Sequence, residues 1–78
     1  MWAAEFSPRG VRINAVAAGP ILTRPDARER FDDLGATTPM NRAAEPEEIA
    51  EVVAFLASPR ASYVTGEIMA ADGGRTAI

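Results

Sequence analysis

Residues 11–20 read VRINAVAAGP, and the pattern within them indicates the fold class. Apolar or small residues fill nearly every position from Val11 to Ala17, as is typical of a parallel strand that is covered on both faces. Gly19-Pro20 ends this predicted strand, because glycine adopts backbone shapes that other residues resist. Arg12 and Asn14 are polar on a predicted buried strand, so we expect them to hydrogen-bond to neighbouring elements.

A helix and a second strand follow in the order of a βαβ unit. Residues 46–57 read PEEIAEVVAFLA, with Pro46 at a favourable first helical position and Ser58-Pro59 beyond the end. Their larger apolar residues recur at the spacing of one packed helix face: Ile49, Val52, Val53 and Leu56. A short strand is predicted over residues 67–71, and Asp72-Gly73-Gly74 turns the chain away from it.

The other segments are a helix end and a long polar excursion. Residues 1–6 indicate the end of a helix that Ser7-Pro8-Arg9-Gly10 stops. Residues 18–45 carry many charges, with a short polar helix predicted over residues 26–34, and an excursion of this length is most often a lid or binding loop. Since one βαβ unit cannot cover both faces of its sheet, we expect an α/β chain that is incomplete as a stand-alone domain.

Composition narrows the chemistry available to this 78-residue chain. It has no cysteine, histidine or lysine, which excludes disulfides, thiolate metal sites, imidazole bases and Schiff-base lysines. Eight arginines against eleven acidic residues give a net charge of −3, which argues against a nucleic-acid partner. No stretch is long enough to span a bilayer and the first ten residues do not resemble a signal peptide, so a cytoplasmic location is expected.

Three blocks of sequence together resemble the short-chain dehydrogenases/reductases. Residues 12–23 (RINAVAAGPILT) resemble the family's R-V-N-x-V-x-P-G-x-I-x-T, and residues 39–50 (PMNRAAEPEEIA) resemble its P-L-x-R-x-G-x-P-E-E-I-A. Residues 61–74, from ASYVTGE to DGG, resemble its A-S-Y-I-T-G-Q…D-G-G ending. The resemblance implies the C-terminal βαβ portion of a Rossmann-like doubly wound parallel sheet. It also implies NAD- or NADP-dependent hydride transfer between a nicotinamide and a small alcohol or carbonyl substrate.

The resemblance also implies a cofactor wall directly after the first strand. Backbone groups near Ile21 would bind the nicotinamide carboxamide, and the Thr23 hydroxyl would bind the carboxamide or a phosphate, which fixes the ring face presented for hydride transfer. The residues so assigned are Ala18, Gly19, Pro20, Ile21 and Thr23. Ala18 departs from the family, which usually has proline there. From composition alone, the same residues would make an ordinary strand-ending turn.

The sequence provides no catalytic or metal-binding residue of its own. The family's Tyr-x-x-x-Lys pair is missing, because Tyr63 is followed four residues later by Glu67, and its Gly-rich cofactor turn is missing too. We therefore expect no turnover by the chain alone, and for Tyr63 a packing or hydrogen-bonding role. Glu47 and Glu48 are interpreted as first-turn carboxylates and Asp72 as a turn residue rather than as a metal site.

Helix 46–57 and strand 67–71 are the expected contact surface. By resemblance, they would build one face of a homo-oligomer, a tetramer in many members, with no membrane partner. A flat alanine face on the helix fits that role: Ala50, Ala54 and Ala57. Two alternatives stay open, a non-catalytic oligomerisation or interaction fragment and one half of a split enzyme. The substrate and the choice between NAD and NADP are not determined by these residues.

Overall fold

The computed structural model describes residues 2–77, which are organised around two parallel strands. Strands β1 (Ala15–Ala18) and β2 (Ile68–Ala71) pair in register from Ala15↔Ile68 to Ala18↔Ala71. Within these residues the three α-helices are α1 (Trp2–Phe6), α2 (Arg28–Gly35) and α3 (Pro46–Ala57). Since α2 and α3 lie between the paired strands, the chain has the predicted α/β class with a βαβ crossover.

The β1 ladder is shorter than the predicted strand 11–17. The Ile13 amide donates to the Thr65 hydroxyl at 3.2 Å, and the Asn14 side chain donates to the Val64 carbonyl at 3.0 Å. The Glu67 amide in turn donates to Asn14 Oδ1 at 3.0 Å, so β2 begins at Ile68 rather than at the predicted residue 67. Before β1, a backbone hydrogen bond from the Gly66 amide to the Ile13 carbonyl at 2.7 Å accompanies these side-chain bonds. At its other end the ladder includes Ala18.

Helix α3 has the predicted bounds, and its ends explain why. The Glu48 carboxylate accepts from the Glu45 amide at 3.0 Å, which satisfies a free donor at the start of the helix. At the other end the Ser58 hydroxyl donates to the Phe55 carbonyl at 2.7 Å. Helix α2 lies within the predicted excursion 18–45, where a helix over residues 26–34 is expected. In the predicted helix end 1–6, Met1 lies outside the described residues.

The sheet is covered on only part of its surface. Val16 is half-buried beside α3, where it lines a small cavity with Leu56 and Ala57. The opposite face is exposed, and its residues are Ala15, Ala17, Ile68 and Ala70. The radius of gyration is 14.8 Å, against about 11.5 Å for a compact domain of this length. The open face and the extended shape agree with the expectation that one βαβ unit does not form a complete core.

Few apolar side chains are removed from water. Among residues 2–77 the buried apolar residues are Ala3, Leu56 and Ala61, and no large side chain is fully buried. Within the same residues, no helix is both long and apolar enough to cross a membrane. Hydrogen bonds between segments therefore supplement this limited apolar packing.

Candidate functional site

The candidate site lies where both strands end. Because β1 and β2 are parallel, their carboxyl ends lie at one edge of the sheet, the edge at which ligands of open α/β sheets bind. Residues 19–23 leave β1 at this edge, and we call them the ledge. Residues 72–74 leave β2 beside the ledge, and the Gly19 amide donates to the Ala71 carbonyl at 3.0 Å.

Gly19 allows the two strand ends to approach closely. A Cβ at this position would lie 2.7 Å from the Asp72 Cα and 2.9 Å from the Asp72 Cβ, closer than real Cβ contacts. Pro20 is half-buried and lines a cavity of about 480 Å³ together with Ala71 and Gly73. Glycine is thus required here by the approach of β2, and the approach fixes where the ledge begins.

One edge of the ledge pairs with Ala44, and on the other edge the Ile21 amide is left without a backbone partner. The Ala44 amide donates to the Pro20 carbonyl and the Leu22 amide donates to the Ala44 carbonyl, both at 2.8 Å. In such a parallel bridge the N–H and C=O of the intervening residue, Ile21, point to the opposite edge. The Ile21 carbonyl accepts from the Thr23 amide at 2.8 Å, while the Ile21 amide makes no backbone hydrogen bond within residues 2–77.

The structure collects four of the five predicted cofactor residues on the ledge. Gly19, Pro20, Ile21 and Thr23 follow one another there, whereas Ala18 belongs to β1 and pairs with Ala71. The Thr23 side chain is exposed, and its hydroxyl has no hydrogen-bond partner within the described residues. A free amide and a free hydroxyl, two residues apart, can together bind a planar amide or a phosphate oxygen.

A buried threonine anchors the far side of the excursion. Thr38 is 5% exposed, and its hydroxyl donates to the Gly35 carbonyl at 2.8 Å and accepts from the Asn41 amide at 3.1 Å. Next to it, the Met40 amide donates to the Gly73 carbonyl at 3.0 Å. The Thr38 bonds hold this turn of the excursion together, and the Met40–Gly73 bond joins it to the turn after β2. Sequence reasoning did not single out Thr38, although a Thr-Thr-Pro run after a glycine is typical of a side-chain-stabilised turn.

An ion pair joins the excursion to the start of α3. The Arg42 guanidinium donates to both carboxylate oxygens of Glu48, at 2.7 and 2.8 Å. The hydrogen bond from Arg42, followed by the one from the Glu45 amide, lowers the pKa of Glu48 from 4.5 to about 2. Sequence reasoning predicted Glu48 as a first-turn carboxylate but missed Arg42. The only feature that marks the pair is an arginine six residues before an acidic first turn.

Because of this ion pair, the free energy of unfolding is expected to decrease as the pH is lowered. A lowered pKa in the folded state means that Glu48 stabilises the chain above its ordinary pKa of 4.5, and that this contribution is lost as the pH falls to about 2. Hydrogen bonds from Thr76 lower the pKa of Asp72 and act in the same direction. Urea unfolding between pH 5 and pH 2 checks this, and Glu48→Gln is expected to flatten the profile. An unchanged slope in the variant would contradict the assignment.

The remaining predicted polar residues have structural roles. The Arg12 guanidinium donates to the carbonyls of Leu56, Ser58 and Val64, so the prediction that Arg12 ties β1 to its neighbours is confirmed. Asp72 accepts from Gly74 and Thr76 and stabilises the turn after β2, as predicted.

The expectation that Tyr63 has a packing or hydrogen-bonding role is wrong for the part of the chain that the structure describes. Its side chain is fully exposed on a surface turn rather than packed or hydrogen-bonded. Over the same residues, no three acidic side chains come together as a metal site would need.

Comparison with known proteins decides the family. A family model described as enoyl-(acyl carrier protein) reductase matches residues 1–76. A solved structure titled short chain dehydrogenase/reductase family protein superimposes with a TM-score of 0.84 at 52% identity, covering 99% of this chain and 32% of that one. The chain belongs to the short-chain dehydrogenase/reductase family. Its two-stranded parallel sheet and crossover match part of the Rossmann-like fold of these enzymes.

Curated relatives in the family carry diverse names. Galactitol 2-dehydrogenase (L-tagatose-forming) of Cereibacter sphaeroides is 51% identical over 95% of this chain and 31% of its own length. A 3-oxoacyl-[acyl-carrier-protein] reductase of Thermotoga maritima is 42% identical over 94% of this chain and 31% of its own length. The chain thus spans about a third of the length of the curated short-chain dehydrogenases/reductases it matches.

Proposed function

We propose that this chain supplies the nicotinamide-side wall of an NAD- or NADP-dependent short-chain dehydrogenase/reductase. The observation that carries the proposal is the free Ile21 amide, followed two residues later by the exposed Thr23 side chain, after the carboxyl end of β1. When bound, the nicotinamide cofactor supplies the hydride donor or acceptor. The residues given a binding role are Ala18, Gly19, Pro20, Ile21 and Thr23.

The ledge fits an amide-bearing ring because its donors are fixed. The Ile21 amide is held by the bridge to Ala44, so its direction is set before any ligand arrives. The Thr23 hydroxyl can rotate to donate to a carbonyl oxygen or to a phosphate oxygen. An amide held by fixed donors presents one face of its ring, which is what stereospecific hydride transfer requires. The general acid and base are not assigned to this chain, which has no lysine.

A small alcohol or carbonyl compound is the proposed substrate class. The excursion 18–45 would contact the substrate through residues 24–34, a mostly exposed stretch that follows the ledge. Charged and polar side chains dominate this part, with ion pairs such as Arg24–Asp26 at 3.0 Å on its surface. A polar surface of this kind suits hydroxylated substrates, in keeping with a relative named galactitol 2-dehydrogenase.

Removing the Thr23 hydroxyl is expected to weaken cofactor binding. The test is a chimera in which this chain replaces the matching segment of galactitol 2-dehydrogenase, assayed with galactitol by nicotinamide absorbance. Thr23→Val should raise the KM for the cofactor about two- to tenfold, the value of one hydrogen bond. The matched control is Thr37→Val, whose hydroxyl binds the Leu34 carbonyl away from the ledge. Equal effects of the two variants, or none, would refute the proposal.

A second proposal is that copies of the chain associate through α3 and β2. The alanine face of α3 is exposed together with Val53. On β2, Ile68 is 71% exposed. Apolar surface left in water favours burial against a partner. The occupant that we propose is a second copy, as in a homo-oligomer, and the alternatives are a different interaction partner or the other half of a split enzyme.

Adding a charge to the alanine face is expected to prevent self-association. Ala54→Glu would place a carboxylate within the proposed contact, where burial of an unpaired charge is unfavourable. Light scattering after size-exclusion chromatography should show a concentration-dependent mass for the unmodified chain and a monomer for Ala54→Glu. Ser62→Glu adds the same charge at an exposed position outside the face and serves as the control. A monomeric unmodified chain at all concentrations would favour the alternatives.

A further inference from the structure

Ala44 pairs with Ile21 of the ledge in a parallel bridge, and both of its peptide groups form hydrogen bonds. Its amide donates to Pro20 and its carbonyl accepts from Leu22, both at 2.8 Å. The remaining polar groups of the same two peptide planes are the Ala43 carbonyl and the Glu45 amide. These two groups point away from the ledge, because the N–H and C=O of one trans peptide plane point in opposite directions.

The Arg42–Glu48 ion pair holds both of these outward groups. Arg42 Nη1 donates to the Ala43 carbonyl at 3.2 Å, and the Glu48 carboxylate accepts from the Glu45 amide at 3.0 Å. The ion pair therefore brackets Ala44 from the side opposite to the ledge. Each peptide plane of Ala44 has one hydrogen bond to the ledge and one to the ion pair.

The geometry of the ion pair makes it stiff enough for this role. Both side chains are about half exposed, and most surface ion pairs contribute little because long side chains keep their freedom. This pair is bidentate, which fixes the direction as well as the distance of the guanidinium. It is also attached at one end to the first turn of α3, a rigid element, through Glu48.

We propose that Arg42 and Glu48 are positioning residues that set the orientation of the Ile21 amide through Ala44. This inference rests on the proposed function, in which the Ile21 amide binds the nicotinamide carboxamide. The role that we propose for Arg42 and Glu48 is indirect, although both also line the cavity of about 480 Å³ beside Pro20. Their effect is transmitted by the two hydrogen bonds between Ala44 and the ledge.

The first test measures the ledge without any cofactor. In the full chain, Arg42→Gln should speed amide hydrogen exchange at Leu22 and Ala44 about two- to tenfold, as expected for loosening one hydrogen bond. The Gly19 amide, bound to Ala71, is the internal reference and should change less. Equal acceleration of all three amides, or none at Leu22 and Ala44, would overturn the proposal.

Matched variants separate positioning from a defect at the start of α3. Glu48→Gln keeps an acceptor for the Glu45 amide but loses the charge that binds Arg42, whereas Arg42→Gln leaves the Glu48–Glu45 hydrogen bond in place. Both should loosen the ledge. Glu47→Gln removes the neighbouring first-turn carboxylate, which forms no ion pair within residues 2–77, and should leave exchange at the ledge unchanged.

The same variants are then assayed in the galactitol 2-dehydrogenase chimera. This measurement of activity does not depend on whether the small core of the isolated chain is stable. Arg42→Gln should raise the KM for the cofactor about two- to tenfold and change kcat at saturating cofactor by less than about twofold. If Thr23→Val raises this KM and Arg42→Gln does not, the positioning role is refuted and the proposed function stands. If Arg42→Gln loosens the ledge but neither variant changes the KM, the proposed function fails and the coupling through Ala44 stands.

Discussion

Replacing Gly35 by alanine is expected to lower the free energy of unfolding by about 1–3 kcal/mol, the usual penalty for forcing an added group into packed structure. A Cβ here would lie 2.1 Å from the Ala43 amide nitrogen and 2.4 Å from the Arg42 carbonyl carbon. These are backbone atoms, so no side-chain rotation relieves the clash. Helix propensity alone predicts the opposite sign, because alanine is favoured over glycine by about 0.8–1 kcal/mol in a helix.

Urea unfolding followed by circular dichroism measures the sign directly. The control is Ala36→Ser, a small change at the exposed residue that follows α2. A more stable Gly35→Ala variant would show that α2 is free of residues 42–43 and that propensity alone governs this position. A less stable variant, with an unaffected control, would show that the close approach of the two segments is part of the fold.

Replacing Arg12 by methionine is expected to cost about 1.5–3 kcal/mol, the range for hydrogen bonds to a charged group. Methionine retains much of the apolar stem and removes the guanidinium, which donates to three carbonyls at 2.7, 3.2 and 3.3 Å. Two of these carbonyls, those of Leu56 and Ser58, lie at the end of α3, where a positive charge also compensates the helix dipole. The third, that of Val64, precedes β2. The substitution therefore removes the side-chain bonds that join the segment before β1 to the end of α3 and to the residue 64 carbonyl.

The matched variant for this measurement is Arg60→Met. Arg60 is exposed and forms no ion pair within residues 2–77, so losing its charge should change stability by less than about 0.5 kcal/mol, as for most surface substitutions. Equal midpoints of urea unfolding for the two variants would show that the Arg12 contacts contribute no more than an ordinary surface charge.

The regular elements could be predicted from sequence because their causes are local. The bounds of α3 follow from an apolar stripe, Pro46 at its start and Ser58-Pro59 beyond its end. The starts of both strands could not be predicted, because they depend on side-chain bonds between Asn14 and residues 64–67, far apart in sequence. Hydrophobic periodicity is a property of one segment, whereas the length of a ladder also depends on which backbone groups of the partner strand can pair with it.

The ledge could be located from sequence, but its support could not. The resemblance of residues 12–23 to a family motif predicted which residues follow β1. The contacts of Thr38 and of the Arg42–Glu48 pair arise from how the excursion returns to the sheet. No local pattern requires that return, since the same charges would be equally acceptable on a solvated loop.

The parallel ladder has a kinetic consequence, because its partners lie far apart along the chain. The contact between Asn14 and Glu67 next to the ladder spans 53 residues, and the length-dependent part of the entropy cost of closing such a loop is about 3.5 kcal/mol. Helix α3 needs no such closure and can form early. Contacts of long sequence separation slow folding, so we expect the search for the partner strand to limit the rate. The ledge and the turn beside it then acquire their final positions at the end of folding, after the helix that supports them.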